Sequence, residues 1–268
     1  MDVIQRNFFR LLRAGALNEY EVLEPMSDFK WKRLFQLIDA QEVMPIAIKG
    51  IKHHQFEKDM AFPFHLFQES KRDSTPPSKQ SVLSPIMSNP LLKKRLQGIH
   101  HDERHAIDTS TETLQLLDMI TSNTHHMINK GVSLKGILGI GSYLRTKGDK
   151  VDFVKLDRWL SHLHLLRMAQ LEGCILIEAF KFDPSEIPFV KNIERKTSAL
   201  VLRTLSYTVA DTVQEWHFRQ GKSGFVRNNT SIMWHNLQHC IRFMKYAPIE
   251  TVSNFFYTFA HSLSEIEE

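Results

Sequence analysis

The chain has few cysteines, no long apolar run and no start that resembles a signal peptide. Only Cys174 and Cys240 are present among 268 residues, so neither a disulfide framework nor a cysteine-rich metal site is expected. No stretch approaches the roughly 18 to 20 consecutive apolar residues of a membrane-spanning helix. Arg6, Arg10 and Arg13 interrupt the first apolar run, unlike a secretory signal. These features predict a cytoplasmic protein without a membrane segment.

Charge is nearly balanced overall but unevenly distributed. The chain has 34 Lys and Arg against 30 Asp and Glu, and 42% of its residues are hydrophobic, as in an ordinary globular protein with a sizeable core. Residues 190–249 hold nine Lys or Arg and three Asp or Glu, whereas 250–268 hold four acids and no Lys or Arg. Such a basic region faces either solvent or a phosphate, nucleic-acid or acidic protein partner.

Helical periodicity and helix caps recur along the chain. Asp2 is placed to cap a helix over residues 3–14 with Gly15 as its stop. Asn89 before Pro90 is the usual cap-then-proline order of another helix start. No segment predicts paired strands. We therefore expect an all-α protein, a multi-helix bundle of about nine to ten helices with one proline-rich loop.

Two further expectations concern the C-terminal third. A long amphipathic run is predicted from Pro188 to about residue 219, followed by the glycine-containing loop QGKSGFVRNN at 220–229. In the helix after that loop, four apolar residues recur at helical spacing and predict its buried stripe, namely Trp234, Leu237, Ile241 and Met244.

A proline-rich stretch divides the chain. Residues 59–89 contain several prolines with serine and lysine between them and cannot form one long element. We predict an N-terminal helical segment at 1–58, a proline-rich loop or linker at 59–89 and a main helical domain at 90–268. The first and last of these could also form one domain.

Three regions share an order of helices and turns. The first is FFRLLRAG at 8–15 with FKWKRLFQLIDAQEVMPIAIKGI at 29–51, the second spans 131–190, and the third is QGKSGFVRNN with IRFMKYAP at 241–248. Together they cover about half of the chain. In helix order and spacing they resemble the helical flanks of the uncharacterised bacterial nucleotidyltransferase family.

The resemblance does not extend to the catalytic core of that family. Its members need a Gly-Ser turn that holds the nucleotide phosphates, and two aspartates at i and i+2 that hold Mg²⁺. No D-x-D occurs in this chain, and Asp149 and Asp152 are three residues apart. We therefore predict a non-catalytic relative without a cofactor, a binding or scaffold module for a protein partner. The alternatives are a divergent nucleotidyltransferase that binds a nucleoside triphosphate and Mg²⁺, or, less favoured, a helical nucleic-acid-binding protein.

A basic, glycine-containing loop is the candidate anion site. Arg219, Lys222, Ser223 and Arg227 lie directly before a predicted helix N-terminus, where backbone N–H groups attract phosphate. The P-loop motif is excluded, because Trp216 stands where its first glycine is required. The alternative interpretation is an exposed basic turn.

Two histidine pairs are each spaced one helical turn apart. His101 and His105 lie in HHDERH, and His235 and His239 lie in HNLQH. The second spacing is that of a zinc-binding H-E-x-x-H helix, but Asn236 replaces the general-base glutamate. Each pair is a candidate metal site, with a surface or hydrogen-bonded pair as the alternative.

Overall fold

Helices account for most of the chain that the computed structural model describes, which is residues 1–54, 87–194, 197–206, 218–220, 226–228 and 230–264. The protein is all-α, as predicted, and none of the helices in these ranges is long and apolar enough to cross a membrane. The α-helices number eleven in the described ranges, slightly above the expectation. They are α1 (Val3–Leu17), α2 (Asp28–Ala40), α3 (Met44–His53), α4 (Pro90–Arg104), α5 (Thr111–Lys130), α6 (Leu134–Lys147), α7 (Phe153–His162), α8 (Leu166–Phe180), α9 (Thr197–Ser206), α10 (Thr230–Met244) and α11 (Pro248–Ser264).

Helix α1 begins at a capping box. The carboxylate of Asp2 accepts the backbone N–H of Gln5 at 2.8 Å, and the Gln5 side chain accepts the backbone N–H of Asp2 at 3.2 Å. These bonds satisfy two donors at the helix start. The helix then runs past Gly15, which the sequence predicts as its stop, and ends at Asn18 in the left-handed region with φ 56°. The predicted end was therefore wrong.

Gly15 lies where α1 crosses α3. A Cβ on Gly15 would lie 2.0 Å from the carbonyl oxygen of Ile46, and a Cβ on Gly50 would lie 2.1 Å from that of Leu11. The two glycines let the helix backbones approach directly, which no other residue type would allow. Close approach, and not helix termination, is the physical reason for glycine at position 15.

One hydrophobic cluster joins the first three helices to the later ones. The ring of Phe9 on α1 packs edge-on against that of Phe180 on α8, with centroids 5.5 Å apart. Helix α6 approaches α8 closely at Gly141, where a Cβ would come within 2.7 Å of the Leu176 side chain. Of the predicted linker at 59–89, only Met87–Asn89 lies within the described residues.

The region 131–190 is built from capped helices. The Ser133 hydroxyl accepts the N–H of Gly136 at 3.1 Å and caps α6, and the Asp152 carboxylate accepts the N–H of Lys155 at 2.9 Å and caps α7. Serine and aspartate are among the residue types preferred at a helix start. Asp149 lies in a short 3-10 turn between the two helices. Asp149 and Asp152 thus occupy a turn and a cap.

The region after Pro188 differs from the sequence prediction. The amphipathic run expected to about residue 219 contains α9 and then β1 (Phe218–Gln220), which pairs antiparallel with β2 (Val226–Asn228). The expectation that no strands pair was therefore wrong at this point.

Candidate protein-binding surface

Helices α10 and α11 form a hairpin that packs on the end of α5. Its inner face makes specific polar contacts there. His239 Nε2 donates to the carbonyl oxygen of Ile128 at 2.7 Å, and Asn254 Nδ2 donates to Asn129 Oδ1 at 2.9 Å. Because buried polar groups need such partners, these bonds define which side of the hairpin faces the core.

The buried stripe of α10 is not the predicted one. Trp234 and Ile241 are exposed, whereas Asn236, His239 and Phe243 are buried. The spacing of apolar residues predicted the opposite orientation, because it contains no information about the hydrogen bond between His239 and a carbonyl group of α5. The prediction of a stripe through Trp234 and Ile241 was wrong.

Several large apolar residues of the hairpin are exposed as a result. The exposed large hydrophobic residues on these two helices, which we call the outer face, are Trp234, Ile241, Ile249, Val252, Phe256 and Tyr257. A helix on the surface of a monomer normally turns polar and charged residues outward. Apolar residues grouped on one exposed surface mark an interaction site more often than chance exposure does.

The α11 part of the outer face has no charged side chain. Between Pro248 and Ala260 the one charged residue is Glu250, and it is buried. Its carboxylate accepts the N–H of Ser88 and, at 3.2 Å, the N–H of Asn89. Burial is the largest influence on this carboxyl and raises its pKa, while the bonds from Ser88 and Asn89 act in the opposite direction. Glu250 therefore links the start of α4 to α11, and it adds no charge to the outer face.

The α10 part of the outer face is bordered by an internal ion pair. Lys245 is exposed, but its Nζ lies 2.8 Å from Glu194 Oε2, and such a pair makes the local surface less cationic than the sequence suggests. The basic excess of residues 190–249 is thus partly compensated within the fold at this edge.

The structure places two of the four predicted anion-binding residues. Arg219 and Arg227 are directly paired across the β1–β2 ladder. Lys222 and Ser223 lie outside the described residues. An anion site at this loop stays a prediction.

One histidine of each pair makes a hydrogen bond to a backbone carbonyl group. His105 Nδ1 donates to the carbonyl oxygen of His101 at 2.7 Å, and the two rings lie 4.4 Å apart between centroids. His239 uses Nε2 on Ile128, while His235 is only half-buried. Over the ranges that the structure describes, no three His, Cys, Asp or Glu side chains are grouped to hold a metal ion. Metal binding by these pairs stays a prediction, as does the Mg²⁺ site of a divergent nucleotidyltransferase.

Comparison of the chain with models of protein families, with curated proteins and with solved structures gives no match. The surface chemistry of the chain itself is therefore the evidence on its function.

Proposed function

We propose that the protein is a non-catalytic helical scaffold, related through its helical flanks to nucleotidyltransferases, that works as a pair of identical copies docked through the outer face. The observation that carries this proposal is the uncharged exposed side of α11 between Pro248 and Ala260. A solvated helix of this length would ordinarily carry charge outward. Burial against another apolar surface removes this face from water.

The chemistry of the face favours a second copy as the partner. Interfaces between identical subunits are more apolar than those between proteins that associate transiently. On α11 the face offers no charge by which to select an oppositely charged partner. A two-fold axis makes one apolar surface its own complement, and two helical hairpins packed this way form a four-helix bundle.

The required area involves both helices. The 17 residues of α11 make a helix about 25 Å long. One face of a single helix is too narrow for the roughly 800 Å² per partner that stable interfaces bury. Trp234 and Ile241 of α10 widen the surface, and an exposed tryptophan is the residue type most often found at the energetic centre of interfaces.

The proposal places the scaffold in the cytoplasm. Cys174 and Cys240 are both buried and unpaired with each other. Burial is the largest influence on both thiols and raises their pKa. Thiols kept in this state fit a reducing compartment.

The test is the mass of the full chain in solution, measured by light scattering and sedimentation over a range of micromolar concentrations. We expect a mass twice that of the 31.3 kDa chain. Phe256→Lys places a charge on the outer face and should shift the protein to a monomer without a change in its circular dichroism.

Phe29→Lys is the matched control. Phe29 on α2 is 68% exposed and Phe256 is 62% exposed, so both substitutions add the same charge at an equally accessible ring. The Phe29 variant should stay dimeric. A monomeric wild-type chain at the highest concentration, or equal dissociation of the two variants, would overturn the proposal.

A further inference from the structure

A second surface feature lies away from the outer face, between α4 and α7. It is an open cleft of about 720 Å³. Arg95 reaches it from α4, Arg158 and Ser161 from α7, and His162 and His164 from the end of α7 and the turn that follows. Four nitrogen-rich side chains and a hydroxyl therefore converge on one depression.

The cleft carries positive charge. Asp157 is the one carboxylate that lines it within the described part of the chain, and its Oδ1 lies 3.1 Å from Lys191 Nζ. The ion pair compensates that carboxylate at the edge of the cleft, so the charges of Arg95 and Arg158 are not cancelled by it. Two guanidinium groups in one concave site favour an anion.

Arg95 is held in place by the end of α7. Its NH1 donates to the carbonyl oxygen of His162 at 2.9 Å. This carbonyl belongs to the last turn of α7, where carbonyl groups have no helical partner. The bond fixes the guanidinium over the cleft and uses one of its five N–H donors, so the group retains donors in the planar arrangement that suits phosphate oxygens.

His164 occupies a backbone position that favours glycine. Its φ is 56°, and the helix end is closed by the N–H of Leu165, which donates to the carbonyl oxygen of Leu160 at 2.9 Å. Glycine is the common residue at such a helix end, and other residues there cost about 1 kcal/mol or more. Among the residues that the structure describes, four non-glycine residues have positive φ, and His164 is the one of these that lines the cleft.

We infer that the α4–α7 cleft binds the phosphate group of a small ligand. Arg95 and Arg158 donate to the phosphate oxygens, and the Ser161 hydroxyl and the imidazoles of His162 and His164 complete the set of donors. The cleft is distinct from the predicted basic loop at Arg219–Arg227 and does not depend on the dimer.

The test measures thermal unfolding of the full chain with inorganic phosphate, against sodium chloride at the same ionic strength. Binding to the folded state raises the unfolding temperature in a saturable way. We expect saturation in the millimolar range for wild type. Arg158→Gln should weaken the apparent affinity at least about fivefold, because it removes a charge-assisted bidentate donor. Arg33→Gln, which changes an exposed arginine on α2, should leave it unchanged.

His164→Gly separates ligand binding from structural support. Glycine relieves the positive-φ backbone, so without phosphate this variant should unfold at the same temperature as wild type or higher. Its phosphate-dependent increase should nevertheless be smaller. Three results would each overturn the inference: no saturable effect of phosphate, equal losses in the Arg158 and Arg33 variants, or a phosphate response that His164→Gly leaves intact.

Discussion

Thr124 of α5 donates its hydroxyl to the carboxyl group of Glu172 on α8, with Oγ1 3.3 Å from Oε1. Glu172 is completely buried, and burial raises its pKa well above the ordinary value, although hydrogen bonds from Asn123 and Thr124 act in the opposite direction. Burial of this kind disfavours the ionised form of a carboxyl group, because a charge inside the core loses its hydration.

Glu172→Gln should be more stable than wild type at high pH, by a margin that grows as pH rises. The folded-state pKa of Glu172 is raised above its unfolded value, so wild type has its full stability below the unfolded pKa. It loses about 1.4 kcal/mol per pH unit from there to the folded pKa. Glu172→Gln lacks this loss. Urea unfolding at a series of pH values above the unfolded pKa should show a gap in favour of the variant that grows with pH until the folded pKa is reached.

Glu178→Gln is the control for this experiment, because Glu178 lies on the same helix and is only half-buried. The free energy of unfolding of this variant should change with pH in the same way as that of wild type. A Glu172→Gln curve parallel to wild type would show instead that Glu172 titrates alike in the folded and unfolded chain.

Gly50→Ala should destabilise the protein strongly. The new Cβ would lie 2.1 Å from the carbonyl oxygen of Leu11, and backbone atoms cannot yield as a flexible side chain does. We expect a loss of about 3 kcal/mol or more in the free energy of unfolding, at the upper end of overpacking effects. Chemical denaturation measures it.

Gly98→Ala provides the opposite result within the same chain. Gly98 lies in α4, and nothing lies within 4 Å of the position its Cβ would take. Alanine there should raise the free energy of unfolding by about 0.5 to 1 kcal/mol, because it restricts the unfolded chain and favours the helix. Similar effects of the two substitutions would contradict the crossing geometry.

Glu24 should stay ionised to unusually low pH. The guanidinium of Arg6 donates to both Glu24 oxygens at 2.7 Å and lowers the pKa of that carboxyl to about 2. Its contribution to stability is present above the unfolded pKa and is lost as pH falls through about 2. A carbon-detected NMR titration of the carboxyl group measures the pKa directly, and Arg6→Gln should raise it. An unchanged pKa in that variant would remove Arg6 as the cause.

Asn89→Ala should cost about 1 to 2 kcal/mol of unfolding free energy through loss of a helix cap. The Asn89 side chain accepts the N–H groups of Leu91 and Leu92 and donates to Ser253 at 2.7 Å. Ser27 precedes α2 in the same way but makes no side-chain cap bond. Ser27→Ala should therefore have little effect, and equal losses in urea unfolding would contradict the assigned caps.

Helix starts could be predicted from the sequence because capping is local. Asp2, Asn89, Ser133 and Asp152 each bond to a backbone N–H two or three residues ahead, so the relevant partners are visible in the sequence itself. The end of α1 could not be predicted in this way. Gly15 is explained by Ile46 on another helix, and nothing near position 15 in the chain identifies that contact.

The outer face was hidden from sequence reasoning for a related reason. Ile249, Val252 and Phe256 recur at helical spacing as core residues do. Their exposure follows from Glu250 and Asn254, which turn the other side of α11 toward Ser88 and Asn129. The scarcity of charge over 248–260 was the available signal, because a helix that buries only one side seldom lacks charge on the other.

The crossing of α1 and α3 has a consequence for the alignment of the N-terminal helices. Gly15 faces a carbonyl of α3, and Gly50 faces a carbonyl of α1. If α1 slid by one residue along α3, a side chain would meet backbone at one of these two points. Such a shift of register is thus sterically opposed, and two hydrogen atoms in place of side chains help to fix how α1 and α3 are aligned.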